Sequence, residues 1–325
     1  MGAAQQLLAG TSEGGYTFND TISANTVNYN LATAATVAGW NGTDALLATV
    51  TINSGIYVYS NSTGTAAFAS GAIPADSTLA LINNGHIMGM GGAGACYNNT
   101  NVAGTAGGQA MNIDADLAMT ITNGSGHIYG GGGGGGGSWL SGGRSGGGGG
   151  AGGGVGGYGT WDVQSAAGGA GGGVGAAGAN GAIAGGKDGI RSAGGGGRIY
   201  NGSGGVGAWA VTPSPPGRNA TGGGAGGGGS AGSFDDPLGE STSCVGGAGG
   251  AWNAAGGTGS ISPAGWSQGA GGGGGGWGLS GGAAVVELVT ALAAGAGGKA
   301  IELNGGSAPT WVSGSGSPNT LGTVS

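Results

Sequence analysis

The first part of the chain alternates apolar and polar positions with the period of two expected of half-buried strands. The pattern is clearest in Leu47-Ala-Thr-Val-Thr-Ile52 and returns in Ile56-Tyr-Val-Tyr59. Asn41-Gly42 and Asn84-Gly85 supply turn chemistry between such runs. No stretch before residue 283 places apolar residues at helical spacing, so residues 16–129 are expected to be all-β with essentially no α-helix. A weak repeat joins the two ends of the chain: Leu81-Ile-Asn-Asn-Gly-His-Ile-Met-Gly89, Ile121-Thr-Asn-Gly-Ser-Gly-His-Ile-Tyr-Gly130, and Ile301-Glu-Leu-Asn-Gly305 leading to Thr310-Trp-Val312. Each copy reads strand, Asn-Gly-type turn, strand. Three segments follow: a β-module over 1–129, an insertion over 130–282, and strands within 283–325 that complete the module, so the insertion leaves and returns at one end.

Alternation stops inside the insertion, and composition takes over. The 325 residues include 95 Gly and 8 Pro, a content often associated with disorder or with collagen. Collagen requires Gly at every third position, and the unbroken run Gly130 to Gly137 excludes it. Glycine-dense tracts near 130–137, 146–157, 168–173, 181–186, 194–197, 222–229, 246–250 and 271–276 alternate with mixed loops carrying Trp139, Trp161, Trp209, Trp252 and Trp266. Eight crossings are even, as departure and return at one end require. Ordering a glycine costs about 1–2 kcal/mol of backbone entropy, and no side chain is available to offset it. Polyproline-II geometry turns N–H and C=O groups sideways, so a bundle of such helices can pair them between neighbours at roughly 1 kcal/mol net each. Only glycine allows the close approach. The expected fold is therefore an all-β module plus a polyglycine-II helix bundle.

Charge narrows the function. Six Lys and Arg stand against 13 Asp and Glu, a net charge of -7, which argues against a phosphate-tracking surface and against nucleic acid as a partner. The N-terminal residues lack the basic and apolar regions of a signal peptide, and no stretch approaches the length of a membrane span. Cys96 and Cys244 are too few for a disulfide framework and read as free thiols. Gly181-Ala-Ile-Ala-Gly-Gly-Lys-Asp188 lacks the Ser or Thr of a phosphate-binding loop. His86 and His127 occupy one shared strand position of the repeat. Asp114 with Asp116, and Asp235-Asp236-Pro-Leu-Gly-Glu240, read as solvated turns before they read as calcium ligands. No catalytic constellation, cofactor or metal is expected.

The order of these features resembles a known group, the glycine-rich tail-fibre adhesins of bacteriophages, including those capping the long tail fibres of T-even-type phages. The resemblance rests on the transition Asn83 to Gly92, the run Gly-His-Ile-Tyr into polyglycine at 126–137, the alternation of glycine tracts with variable loops, and the terminal Thr310-Trp-Val-Ser-Gly-Ser-Gly. It implies a virion protein assembled in the host cytoplasm, its base held by a tail or fibre shaft protein as a trimer or a capping monomer. It also implies loops that bind a bacterial outer-membrane protein or surface glycan such as lipopolysaccharide. The long β-module departs from the T-even pattern. A structural fibre segment or capsid decoration protein is the alternative. An ice-binding protein is a third; it would need a flat repetitive face, and no Thr-rich array is expected here.

If the crossings alternate as counted, loops 138–145, 174–180, 198–221 and 251–270 share the end away from the β-module. They contain Trp139, Arg144, Arg198, Tyr200, Trp209, Arg218, Trp252 and Trp266 and no acidic residue, while the opposite loops hold Asp162, Asp188, Asp235, Asp236 and Glu240. The expected recognition surface is thus aromatic and cationic, composed of residue types that dominate binding hot spots.

Overall fold

A computed structural model describes residues 15–325 except 97–101, 141–142, 158–159, 162–163, 166–167, 185–189, 192, 199–203, 206–225, 228, 230, 233–243, 262–268, 287–290 and 317. The predicted alternation is present, but consecutive strands do not form hairpins. Strands β1 (Tyr16–Ile22), β2 (Thr26–Val27) and β3 (Tyr29–Asn30) lie on three different sheets and make one turn of a coil. The next turn repeats it with β4 (Leu46–Ile52), β5 (Tyr57–Tyr59) and β6 (Phe68–Ala69), and a third with β7 (Thr78–Asn83), β8 (His86–Met88) and β9 (Met111–Asn112). A fourth begins with β10 (Ala118–Thr122) and β11 (His127–Tyr129). Strands pair in parallel with the equivalents one turn away, as in Asn19↔Thr49, Thr49↔Ala80 and Ala80↔Thr120. This is a three-sided parallel β-helix. Asn84-Gly85 is the corner between β7 and β8 rather than a hairpin turn.

Alternate residues point into the coil. Phe18, Val50, Leu81 and Ile121 stand among its fully or nearly fully buried side chains. Asn83 and Asn123 are buried too, and a polar ladder satisfies them. Asn83 donates to the side-chain oxygen of Asn123 at 2.7 Å and accepts from the Gly85 N–H, while Asn123 donates to the carbonyls of Gly314 and Asn319. The sequence pattern missed one element, α1 (Leu31–Val37), which follows β3 and is capped by the Asn30 side chain accepting from Thr33 N–H. Leu31 and Ala35 are its fully buried residues, and a seven-residue helix so rich in alanine leaves no legible helical period.

After β8 and again after β11 the chain runs straight out of the coil as glycine. Among the described residues eleven short strands interrupt the second excursion: β12 (Ser138–Leu140), β13 (Gly143–Ser145), β14 (Thr160–Trp161), β15 (Gln164–Ser165), β16 (Ile183–Ala184), β17 (Ile190–Arg191), β18 (Ala231–Gly232), β19 (Cys244–Val245), β20 (Ser260–Ile261), β21 (Gly269–Ala270) and β22 (Val285–Val286). Between them the glycine runs carry no strand assignment, yet their backbones are bonded to one another. In the run 130–137, Gly131 and Gly134 donate to carbonyls of run 103–108, Gly132 and Gly135 to run 146–151, and Gly133 and Gly136 to run 279–282. Donors thus address three neighbours with a period of three residues. The bonded stack takes in residues 89–95 and 103–108 as well, so it begins before residue 130.

The chain then returns to the coil. β23 (Ile301–Glu302) pairs with β9, β24 (Thr310–Ser313) with β10, and β25 (Thr320–Leu321) with β11. The third copy of the sequence repeat is therefore out of phase. Ile301 stacks on Met111 of another sheet, and the residues over Ile121 and Tyr129 are Trp311 and Leu321.

Candidate functional site

The glycine stack has two ends, fixed by its bonds to the β-helix. Gly89 follows β8 and donates to Tyr129 O, and Gly130 follows β11 and donates to Leu321 O, so both mark the near end. Outward from them, Ala95 donates to Gly135 O and Gly147 to Ala95 O, and Leu292 donates to Gly137 O, which marks the far end. All eleven strands β12–β22 adjoin far-end residues such as Gly137, Gly147, Gly157, Ala193 and Gly229. They pair into small antiparallel units, β12 with β13, β14 with β15, β16 with β17 and β19 with β20, while β21 lies between β18 and β22. Among the described residues β12–β13, β14–β15 and β16–β17 are short hairpins, whereas between β19 and β20 and between β21 and β22 the chain runs back to the near end through the stack.

This arrangement reverses part of the sequence reading. Tract 146–157 is not one crossing but two. The chain turns back at Gly152 and Gly153, whose φ of 101° and 84° favour glycine, and Gly152 N–H donates to Gly197 O at the near end. One added reversal exchanges the ends that follow it. The turn at Gly175 and Ala176 bonds to Arg198 and lies near the β-helix, so segment 174–180 starts at the wrong end.

Two of the expected recognition residues move with it. Arg198 is only 7% exposed. Its Nε and Nη2 donate to Gly152 O at 3.0 and 2.8 Å, Nη2 also reaches Met90 Sδ, and the guanidinium lies 5.2 Å from the ring centre of Tyr59 on β5. Burial pushes its pKa down from the ordinary value. It anchors the stack to the coil. Trp252 packs against an apolar seam of Met88, Tyr129, Ala151, Trp277 and Leu321 at the same junction. Both side chains pack at the near end, Arg198 buried and Trp252 half-buried.

Trp139 and Arg144 do lie on far-end strands, opposite each other in the β12–β13 register. Tyr200, Trp209, Arg218 and Trp266 lie outside the described residues. Two residues join the far-end strands that the crossing count had excluded: Trp161 on β14, and Arg191 on β17, which pairs with Ser145 and Ile183. The signal was the length of tract 146–157, enough for two short crossings. Asp162 falls in the connection between β14 and β15, and Asp235, Asp236 and Glu240 in that between β18 and β19. These acids lie outside the described residues. The Asp235–Glu240 and Lys187-Asp188 motifs fall outside as well.

The histidines form a stack on the outside of the coil. His127 aligns with His86, and His86 with Tyr57. The His86 ring centre is 5.0 Å from that of His127 and 4.6 Å from that of Tyr57, and the two Nδ1 atoms are 3.2 Å apart, so one donates to the other. Burial, and then the neighbouring His127, lower the His86 pKa to about 4; burial lowers that of His127. Asp116 N–H donates to the Asp114 carboxylate at 3.1 Å, a local turn bond. Among the described residues no group of three or more His, Cys, Asp or Glu is placed to hold a metal ion.

A coil that buries its core on three sides, and from one corner extends a backbone-bonded stack ending in short paired strands, defines a scaffold that holds those strands clear of a base. Residues 17–198 match the family model described as phage tail fibre adhesin Gp38. The chain belongs to that family, which places it in the phage tail. No curated protein matches it. The crystal structure of the gp37–gp38 adhesin tip complex of the bacteriophage S16 long tail fibre is similar at 18% identity over 95% of this chain and 82% of that one, with a TM-score of 0.40.

Proposed function

We propose that this chain is the receptor-binding tip of a phage tail fibre. The far-end hairpins recognise an outer-membrane protein or lipopolysaccharide on the host, the glycine runs are polyglycine-II helices that hold those hairpins rigidly, and the β-helix is the base carried by a fibre shaft protein. On this reading the base is the set of coil strands, and the display lattice takes in residues 89–95, 103–108 and the runs between 130 and 298. The observation that carries the reading is the period of three in the donors of Gly131–Gly136. A polyproline-II-type helix has three residues per turn and no internal hydrogen bonds, so its N–H groups must address three neighbours in rotation. A lattice bonded in this way orders the hairpins before contact, which lowers the entropic cost of binding. The role is recognition without catalysis or cofactor, and the protein assembles in the host cytoplasm.

The test is adsorption. Purified protein is expected to bind host cells and to block phage adsorption, and failure on both counts favours a structural fibre segment or capsid decoration protein. The double variant Trp139→Ala with Arg144→Ala is expected to lower cell binding at least tenfold with an unchanged melting curve; unchanged binding by the folded variant removes that hairpin from the receptor site. Cells lacking single outer-membrane proteins, compared with cells of truncated lipopolysaccharide, identify the receptor class.

A further inference from the structure

We infer that the rim of the glycine stack is a lateral association surface for a second copy of this chain, held shut by the Cβ groups that stand on it. The inference rests on the reading of the glycine runs as one polyglycine-II lattice and goes beyond it. In the interior of the stack nothing is left to bond. Gly131 to Gly136 all donate to neighbouring runs, and a Cβ at any of them would meet a backbone carbonyl oxygen. Run 271–276 is likewise all glycine and buried.

The rim differs in its bonding. Gly104 and Gly107 of run 103–108 donate to the carbonyls of Ala293 and Ala296, and Gly281 of run 279–283 donates to Gly295, so these three runs adjoin. In run 103–108 donation skips every third residue: Gly104, Thr105, Gly107 and Gly108 donate, whereas among the described residues Ala103 and Ala106 neither donate nor accept along the backbone. Ala294 and Gly297 of the neighbouring run are unspent in the same way. A row that offers both N–H and C=O groups with the period of the lattice is self-complementary, as the open edge of a sheet is, and the surface that matches it is the same row on a second copy.

Side chains stand in the way of that match. Ala103 and Ala106, Ser280 and Ala283, and Ala293 and Ala296 are exposed on the three adjoining runs, each pair three residues apart. The positions between them that face the stack are glycine: at Gly281, Gly282, Gly295 and Gly298 a Cβ would collide with a neighbour's carbonyl. The same collision applies outward. A second stack brought to bonding distance would have to set its carbonyls where the exposed Cβ atoms stand. None of the six residues is charged, so repulsion between copies does not protect this rim. Open sheet edges are commonly guarded by charge or by proline, and here one carbon at every third position does the same with the least bulk.

The experiment measures the mass of the isolated full chain by light scattering over a concentration series. Ala103→Gly, Ala106→Gly, Ala293→Gly and Ala296→Gly together strip the Cβ atoms from two adjoining runs, and the dimer fraction is expected to rise at least tenfold over wild type at equal concentration. The variant with serine at the same four positions keeps every Cβ and is expected to match the wild type. A glycine variant that retains wild-type protease resistance and stays monomeric overturns the inference, and so does a serine variant that dimerises as readily. Four added glycines also loosen the unfolded chain, so a second variant reads the same geometry without them. Ala293→Val with Ala296→Val is expected to keep both the protease resistance and the mass of the wild type; loss of resistance overturns the assignment of these positions to the rim. A wild-type dimer that the valine pair dissolves overturns it too, since the rim is then open. Circular dichroism separates the underlying reading: a wild-type spectrum without the polyproline-II signature sinks the lattice itself, whereas a monomeric glycine variant that keeps the signature sinks the rim inference alone.

Discussion

The β-helix and the glycine stack solve the same folding problem with opposite materials. In the β-helix, side chains such as Leu81 and Ile121 are withdrawn from water at about 1.5–3 kcal/mol each, and the backbone follows the sheet that they select. In the stack, Gly131 to Gly136 bury no side chain, and bonds of roughly 1 kcal/mol each offset an ordering cost of about 1–2 kcal/mol per residue. The stack therefore depends on being complete, with each run bonded to several others and the whole seated on the apolar seam of Met88, Tyr129, Trp277 and Leu321. Side-chain cores tolerate changes of shape that a backbone lattice does not. A Cβ inside the stack meets a neighbouring carbonyl, whereas a Cβ at its rim meets nothing.

The largest test of this contrast is Gly134→Val. A Cβ there collides with the carbonyl oxygen of Ala93, and the stack is expected to be lost outright, seen as a more than tenfold faster cleavage in limited proteolysis. Normal protease resistance breaks the comparison. In the coil, Leu81→Ala opens a cavity and is expected to cost about 2–5 kcal/mol, measured by denaturant unfolding, without abolishing the fold. At the junction, Arg198→Ala strips two donors from Gly152 O and is expected to cost about 1–3 kcal/mol with host binding unchanged, since the residue anchors rather than recognises.

Acid provides a smaller probe confined to the coil. The His86 pKa is lowered to about 4, so the unfolded chain, with an ordinary value of about 6.5, takes up protons that the folded His86–His127 pair refuses. Stability is fully present above pH 6.5 and is lost as the pH falls towards 4. The expected drop is about 1 kcal/mol after solvent screening, or roughly 2–4 °C in melting temperature, and His86→Gln flattens it. Smallest of all, Gly173→Ala adds a Cβ that meets no atom within 4 Å, so thermal melting is expected to move by less than about 0.5 kcal/mol.

Strands β4, β5 and β7 were legible, whereas β1, as long as β4, was not singled out. Leu47–Ile52 alternates in the structure as it does in the sequence, and the shared position of His86 and His127 became a direct pairing of neighbouring turns. The partners of each strand were not legible, because alternation marks one inward face and carries no information about parallel stacking. Hence Ile301 was matched to the wrong copies, and α1 passed unnoticed. The candidate site suffered most. Trp139 and Arg144 lie on β12 and β13, but the reversal at Gly152-Gly153 lies inside a glycine tract broken only by Ala151 and Val155, where most residues permit a turn and none announces it.

By itself the sequence determined the materials: an alternating region that must bury one face, glycine tracts that can be bonded only through their backbones, and loops in which the charged and aromatic residues are concentrated. Those follow from residue chemistry, which is local. Tertiary structure decided which end each loop occupies, that Arg198 and Trp252 pack at the base of the stack, and that threonines scattered over β1, β4, β7 and β10 share the outward face of one sheet. Such features depend on where the chain reverses and which strands become neighbours, and in a glycine run no side chain is present to encode either.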